Sequence, residues 1–408
     1  MKKLIQEKNV KLLIMLCSLI YFISYTTRIN YAAVLLEIVK TQNITKAAAS
    51  MALTASAVTY GAGQLISGFL GDKIKPKYLI FTGIITASLM NMLIFFAKNP
   101  TSMTVIWGIN GFAQAMLWPP LVRTLTDMLT ASDYKKASVT VSIASSVATI
   151  AIYFIAPLFI TFLNWRSLFL ATSLCGFITS FIWIKGFNIL YKRREDYKPE
   201  NFSFGKLENE KKKISGKVYV FLMFVMLAIA MQGILRDGIT NWMPTYISET
   251  FNLGSAISIL TGIILPLFSI ASYKTASFIN RKLIKNELTC ATVIFLTGMV
   301  SAFILYINTS YNAILSVILS AIITGAMHGV NLMLITMLPP YFAKYGKVSF
   351  VSGILNSCTY IGSALSTYGV AVQADNIGWN ITLLSWGIAA AAGTAFCAVC
   401  IPKKKLIS

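Results

Sequence analysis

The chain is written in long apolar stretches separated by short polar ones. Runs of about 20 apolar residues, the length needed to cross a hydrocarbon core about 30 Å thick, fall at residues 11–38, 47–71, 78–97, 101–128, 137–160 and 167–186. After a polar stretch they resume at 217–246, 254–279, 288–307, 312–338, 349–373 and 381–401. The pattern predicts an all-α membrane protein with twelve transmembrane helices in two six-helix bundles, residues 1–186 and 217–408. Residues 187–216, which include KRREDYKPENFSFGKLENEKKK, hold few apolar side chains and read as a solvated cytoplasmic linker. The first run exceeds a signal-peptide core and no small-residue cleavage site follows it, so it is expected to be retained as the first span.

Composition agrees with this layout. With 408 residues, 56% hydrophobic and only 12% charged, the chain is too apolar for an ordinary soluble domain. The formal charge of +21 raises the question of a nucleic-acid partner, but the basic residues do not gather on one domain. They alternate between loops: Lys2, Lys3, Lys8 and Lys11 before the first run, Lys73, Lys75 and Lys77 after the second, Lys135 and Lys136 after the fourth. The linker, Arg281 to Lys285, Lys344 and Lys347, and Lys403 to Lys405 continue the series, while the opposite loops hold little beyond Lys40, Lys46, Lys98 and Arg166. The positive-inside rule then predicts a multi-pass protein of the cell membrane with both termini cytoplasmic, a lipid bilayer as its surroundings and no nucleic acid. The six cysteines all lie in apolar runs. Cys397 and Cys400 form a C-x-x-C without a soluble redox fold around it, so neither a disulfide framework nor a metal site is expected.

Two residues contradict the apolar pattern most sharply. Arg28 and Arg236 sit deep in the first and seventh runs, at similar distances beyond the basic residues Lys11 and Lys217 that open them. A guanidinium at the bilayer centre costs about 2.5–3.5 kcal/mol on insertion scales, so it implies a cavity and something to hold. The pair suggests a carrier for a small anion. Each could instead pair with a helix carbonyl or an acid; Arg236 is followed by Asp237, although neighbours on a helix point about 100° apart. Asp237 itself reads either as a proton-accepting group facing a cavity or as a simple counter-charge. His328, the only histidine, lies mid-helix in GAMHGVN with Asn331 one turn later; packing and contact with substrate or a proton both remain open.

The turn after the second run reads GFLGDKIKPK, in which Gly68 and Gly71 permit close packing and Asp72 can cap or accept from a neighbouring segment while Lys73 stays in water. This resembles the loop signature of the major facilitator superfamily, in the place that signature occupies. RINYA from Arg28, WPPLVRT from Trp118 and RDGITNWMPTY from Arg236 narrow the resemblance to the organophosphate:phosphate antiporter family, the glycerol-3-phosphate and hexose-phosphate transporters. That resemblance implies two parallel repeats, substrate bound near mid-membrane at the repeat interface, Arg28 and Arg236 as phosphate ligands, and exchange of an organophosphate for inorganic phosphate by alternating access. Guanidinium forks suit phosphate oxygens and stay charged. Tyr60, Gln64, Gln114, Trp118, Gln232, Asn241, Trp242 and Tyr246 are further candidates for the cavity wall, each also readable as helix packing. Arg123, lower on its helix, is expected to pair with Asp127 or Asp72 as part of a conformational latch.

The chain departs from that family at four positions. Gln64 stands where a lysine lines the family's site, Ile29 follows the arginine where a lysine can occur, Ser146 takes a histidine position, and Asp237 replaces the usual tyrosine. A less positive site keeps open a proton-coupled carrier of an organic acid or other small anion, and a transporter-like organophosphate sensor remains a third reading. No G-x-x-x-x-G-K-[ST] loop occurs, which argues against ATP as the driver. The expectation is a monomeric transporter, not an enzyme, without a cofactor.

Overall fold

The computed structural model describes residues 2–196, 214–252 and 255–407, so most of the expected linker lies outside the described residues. The chain is built of helices, with one short antiparallel pair formed by β1 (Lys2–Lys3) and β2 (Glu195–Asp196). In order the helices are α1 (Glu7–Ala33), α2 (Leu35–Gln42), α3 (Lys46–Lys73), α4 (Pro76–Phe96), α5 (Pro100–Ala115), α6 (Trp118–Met128), α7 (Ala131–Phe162) and α8 (Trp165–Lys192). There follow α9 (Gly216–Phe251), α10 (Ser255–Phe278), α11 (Glu287–Ile307), α12 (Ala313–Asn331), α13 (Val348–Ile377) and α14 (Trp379–Cys400).

Local sequence sets many of these bounds. Pro76 and Pro100 open α4 and α5, where a missing N–H costs nothing. Side chains of Thr45, Asn99, Thr130, Asn164 and Asn312 cap the first turns of α3, α5, α7, α8 and α12. Asn252 ends α9 in the left-handed conformation, φ 52°. Two expected single spans are broken. The first run divides at Val34, and the fourth divides at Met116 and Leu117, just ahead of Pro119 and Pro120, which cannot continue an α-helical ladder. α8 also runs to Lys192, past the expected start of the linker.

Among the described residues nine helical segments are long and apolar enough to cross a membrane. α3 is not one of them because Ala, Ser, Thr and Gly fill much of it, and the broken α5–α6 pair is not because each piece is short. Polarity is inverted relative to a soluble protein. Met15, Phe154, Leu158, Phe162 and Phe181 are exposed, whereas Asn30, Asn91, Asn110 and Gln114 are buried. Lipid-facing apolar surface and hydrogen-bonded polar groups between helices produce this arrangement.

Contacts divide the chain into two units, Met1–Lys211 with Phe342–Ile354, and Lys212–Tyr341 with Leu355–Ser408. Residues 342–354, which the sequence pattern places in the second half, thus belong to the first unit. In the first unit α3 packs on α5, α1 on α7 and α4 on α8, around a core of Tyr31, Trp107, Trp165 and Phe169. The second unit repeats two of these pairings, α10 on α12 and α11 on α14. Close approach needs glycine at Gly111 in α5: a Cβ there would lie 2.6 Å from Thr59 Oγ1 and 2.7 Å from Ser56 Cα. Thr59 Oγ1 already donates to the Gly108 carbonyl at 2.6 Å, so it has no room to yield. Gly111→Ala is expected to cost about 1–3 kcal/mol, read as a lower thermal unfolding midpoint of the purified protein.

Candidate substrate site

In the first unit, Tyr21, Tyr25 and Arg28 recur at helical spacing and share one face of α1. The Arg28 guanidinium lies over the Tyr60 ring of α3, 4.0 Å from its centroid, and 5.7 Å from that of Tyr25. Tyr60 is buried. An ordered cation–aromatic stack contributes about 0.5–2 kcal/mol and, more usefully, fixes the plane of the fork. Trp118, at the start of α6, joins the same face through Tyr21, centroids 4.8 Å apart. Gln64, one turn beyond Tyr60, is fully buried; its Nε2 reaches the Ala115 carbonyl at 3.4 Å, and its Oε1 has no donor among the described residues.

The neighbouring face of α1 is polar for a different reason. Ser24 donates to Gln114 at 2.6 Å, Gln114 donates to Thr27 at 2.9 Å, and Asn30 donates to Asn91 at 2.7 Å and Thr172 at 2.9 Å. These bonds join α1 to α4, α5 and α8. Buried amides that satisfy one another across helices hold a bundle together where no hydrophobic driving force acts between helices. Gln114 is therefore committed to packing. Ile29 packs into the apolar core beside Tyr31 and Trp107, and Ser146 is buried in α7.

In the second unit, Arg236 and Asp237 form a bidentate pair, Nε to Oδ1 at 2.6 Å and Nη2 to Oδ2 at 2.8 Å. Sequence neighbours on a helix diverge, and the long arginine side chain closes the gap by folding back. Their side chains are 15% and 21% exposed, so the pair is largely desolvated but can still be reached. Asp237 also bonds to the Ser363 side chain. His328 Nδ1 lies 3.0 Å from the Tyr273 hydroxyl, and the rings meet edge to face. Asn331, three residues on, is half-buried. Asn241 is exposed and lies 3.5 Å from Thr367 Oγ1, while Trp242 donates to the Thr367 carbonyl. Gln232 is spent on the Met327 carbonyl and Thr359, and Tyr246 on the Thr309 carbonyl and Ser316, so both serve packing.

A third cluster lies at the charged end of the first unit. Asp72 accepts the Ser349 and Phe350 backbone N–H groups, both at 2.9 Å, and so caps α13. Gly68 and Gly71 allow that approach: a Cβ on Gly68 would come within 2.9 Å of the Ser349 carbonyl, and one on Gly71 within 2.7 Å of the Ser349 side chain. Arg123 donates to the Gly71 and Ile74 carbonyls and lies 3.4 Å from Asp127, not on Asp72. Lys73 rests over the Phe69 ring at 3.9 Å. A carboxylate on two first-turn amides adds about 0.5–2 kcal/mol to a helix start. Asp72→Ala is expected to speed hydrogen exchange at the Ser349 and Phe350 amides roughly two- to thirtyfold, measured by exchange mass spectrometry or NMR.

Several residues of these clusters carried no sequence signal. Tyr273 and Ser363 meet the Arg236 cluster only through the packing of α10, α12 and α13. In the second unit Asn280, just past the end of α10, donates to the Ile284 carbonyl. The acid near that end is Glu287, fully buried, which pairs with Lys404 and accepts from the Tyr341 hydroxyl.

With buried polar seams, lipid-facing apolar helices and guanidiniums inside the spans, the molecule has the build of a polytopic transporter. Residues 17–367 match the family model of the Major Facilitator Superfamily, and the chain belongs to that family. It is 24% identical over 383 residues to the glycerol-3-phosphate transporter of Bacillus subtilis, covering 87% of this chain and 84% of that protein. It is 21% identical over 387 residues to a probable hexose phosphate transport protein of Chlamydia muridarum, covering 88% and 84%. Among solved structures it resembles the transporter FucP in its outward conformation, with a TM-score of 0.73 at 14% identity over 95% of this chain and 98% of that one. The protein is a membrane transporter.

Proposed function

We propose that this protein is a secondary active transporter of a small organic anion bearing a phosphate group, such as a sugar phosphate or glycerol phosphate, working by alternating access. The observation that carries the reading is the Arg28 guanidinium inside the first span, its carbon 4.0 Å from the ring centroid of buried Tyr60. A guanidinium kept in place by a neighbouring ring offers the planar, permanently charged fork that matches phosphate oxygens, and it loses less side-chain freedom on binding. Arg236 is the second ligand, and the names of the two relatives support the phosphate. Counting α3, the broken pair α5–α6 and α10 with the nine apolar segments gives twelve spans. Two six-helix bundles, residues 1–186 and 217–408, and cytoplasmic termini complete the proposed plan, with Asp72, Gly68, Lys73 and Arg123 as a conformational latch.

The driving reaction is exchange for inorganic phosphate. Counterflow tests it: proteoliposomes loaded with inorganic phosphate should take up labelled glycerol-3-phosphate or glucose-6-phosphate several-fold faster than empty ones. Equal uptake by empty and loaded vesicles, rising with an inward proton gradient, would instead favour proton coupling. One observation supports that second reading. The Asp237 carboxylate takes the Nε and Nη2 edge of Arg236, so an anion that uses that edge must displace it or meet it protonated.

A further inference from the structure

The first unit contains a cavity of about 470 Å³ that has no part in the Arg28 cluster. It lies where the helices end: its walls are the α3–α4 turn, the last turn of α6 and the end of α8, with β1 along one side. The size is within the range of about 300–1,000 Å³ typical of small-molecule sites.

Its lining is strongly one-signed. Lys2, Lys3, Lys75, Lys77, Arg123 and Arg194 face it together with Lys73, against a single lining carboxylate, Asp127. Arg123 already holds that carboxylate at 3.4 Å. The remaining cations have only partial uses: Lys77 donates to Asn188 at 2.9 Å, and Arg194 lies over the Tyr191 ring, 3.5 Å from its centroid, and donates from Nε to the Tyr191 carbonyl at 3.0 Å. That leaves the terminal Nη groups of the guanidinium as its donors toward an anion.

Lys3 shows how the wall is built. The residue is buried, only 7% exposed, and its ammonium donates to the Thr126 carbonyl at 2.5 Å. The Leu4 N–H takes the next free carbonyl, Met128, at 2.8 Å. β1 thereby covers the C-terminal end of α6 and places a buried positive charge on the cavity wall. Burial pulls the Lys3 ammonium down to about 8, Asp127 opposing and the Arg194 charge adding to the effect. Like charges gathered in a partly shielded hollow repel one another, and a bound anion removes that cost.

We propose that this cavity is a binding site for a phosphate group, distinct from the transport site, supplied by an anionic lipid headgroup at the membrane surface or by free inorganic phosphate. Its position at the ends of the spans is the depth of the headgroups, and basic pockets between helices at that depth take phosphate-bearing heads. The inference stands independently of which substrate is carried.

The test uses the full-length protein and its thermal unfolding midpoint. Inorganic phosphate is compared with chloride at equal ionic strength in detergent, and phosphatidylglycerol-containing nanodiscs with pure phosphatidylcholine ones. The proteins are the parent, Lys75→Gln/Arg194→Gln, Lys2→Gln/Lys75→Gln as a second cavity variant should the first fail to fold, and Arg28→Ala. The parent should be stabilised by at least one probe. The cavity variants should weaken that response roughly tenfold or more in apparent affinity, and Arg28→Ala should retain it. A response only to phosphatidylglycerol makes the source a lipid; a response only to phosphate in detergent makes it the free ion. No response to either probe overturns the proposal, and so does a response that the cavity variants keep. A response lost only in Arg28→Ala also overturns it, because phosphate would then be reporting the transport site.

Discussion

Arg28→Ala is expected to abolish uptake, lowering transport efficiency by roughly 100-fold or more. Charge-assisted hydrogen bonds contribute about 1.5–3 kcal/mol each, and a fork makes two of them. Arg28→Lys separates charge from shape. A lysine keeps the positive charge but offers neither the fork nor the flat stack over Tyr60, so efficiency should fall roughly tenfold. Tyr60→Phe keeps the ring and should be mild; Tyr60→Leu, which lets the guanidinium wander, should resemble Arg28→Lys. Uptake into proteoliposomes measures all four. A folded Arg28→Ala protein that still transports, and is still stabilised by the substrate, would remove Arg28 from the site.

Asp237→Asn should raise the affinity for the anionic substrate and flatten its pH dependence. In the parent the two Asp237 oxygens sit on Nε and Nη2 of Arg236, one of the edges by which a guanidinium grips an anion. Protonating Asp237 surrenders its charge, so the anion should bind more tightly as pH falls. Asparagine cannot compete as an anion at any pH, and affinity should rise roughly tenfold and stay level. Stability should fall by about 2–3 kcal/mol, less than the 3–5 kcal/mol of breaking a fully buried pair, because the partners remain 15% and 21% exposed. A substrate titration by thermal shift across the pH range reads both effects. If the variant keeps the parent's pH profile, Asp237 is only a counter-charge.

The sequence made some of these residues conspicuous and hid others. Arg28, Arg236 and Asp237 stood out because each is costly in an apolar run. The Tyr21, Tyr25 and Arg28 stripe could be read from helical spacing alone. The direction of each arginine could not: the stack of Arg28 on Tyr60 needs α1 and α3 side by side, and the Arg236–Asp237 pair reverses the divergence expected of adjacent residues. Asp72 looked like a partner for Arg123, yet it caps α13, nearly 280 positions away in the chain, through backbone amides that no side-chain pattern reveals. Gln114, Gln232 and Tyr246 looked equally suited to a cavity wall or to packing, and their hydrogen bonds place them in packing.

Taken alone, the sequence determined a helical membrane protein, its apolar segments and its superfamily, because the bilayer demands long internally hydrogen-bonded apolar runs and leaves a periodic record of them. Tertiary structure decided what the polar exceptions do. A polar side chain on a membrane helix must find a partner, and whether that partner is an aromatic ring, a carbonyl or an amide depends on which helix lies beside it. Residues 342–354 show the limit: their sequence lies in the second half, and their contacts lie with the first unit.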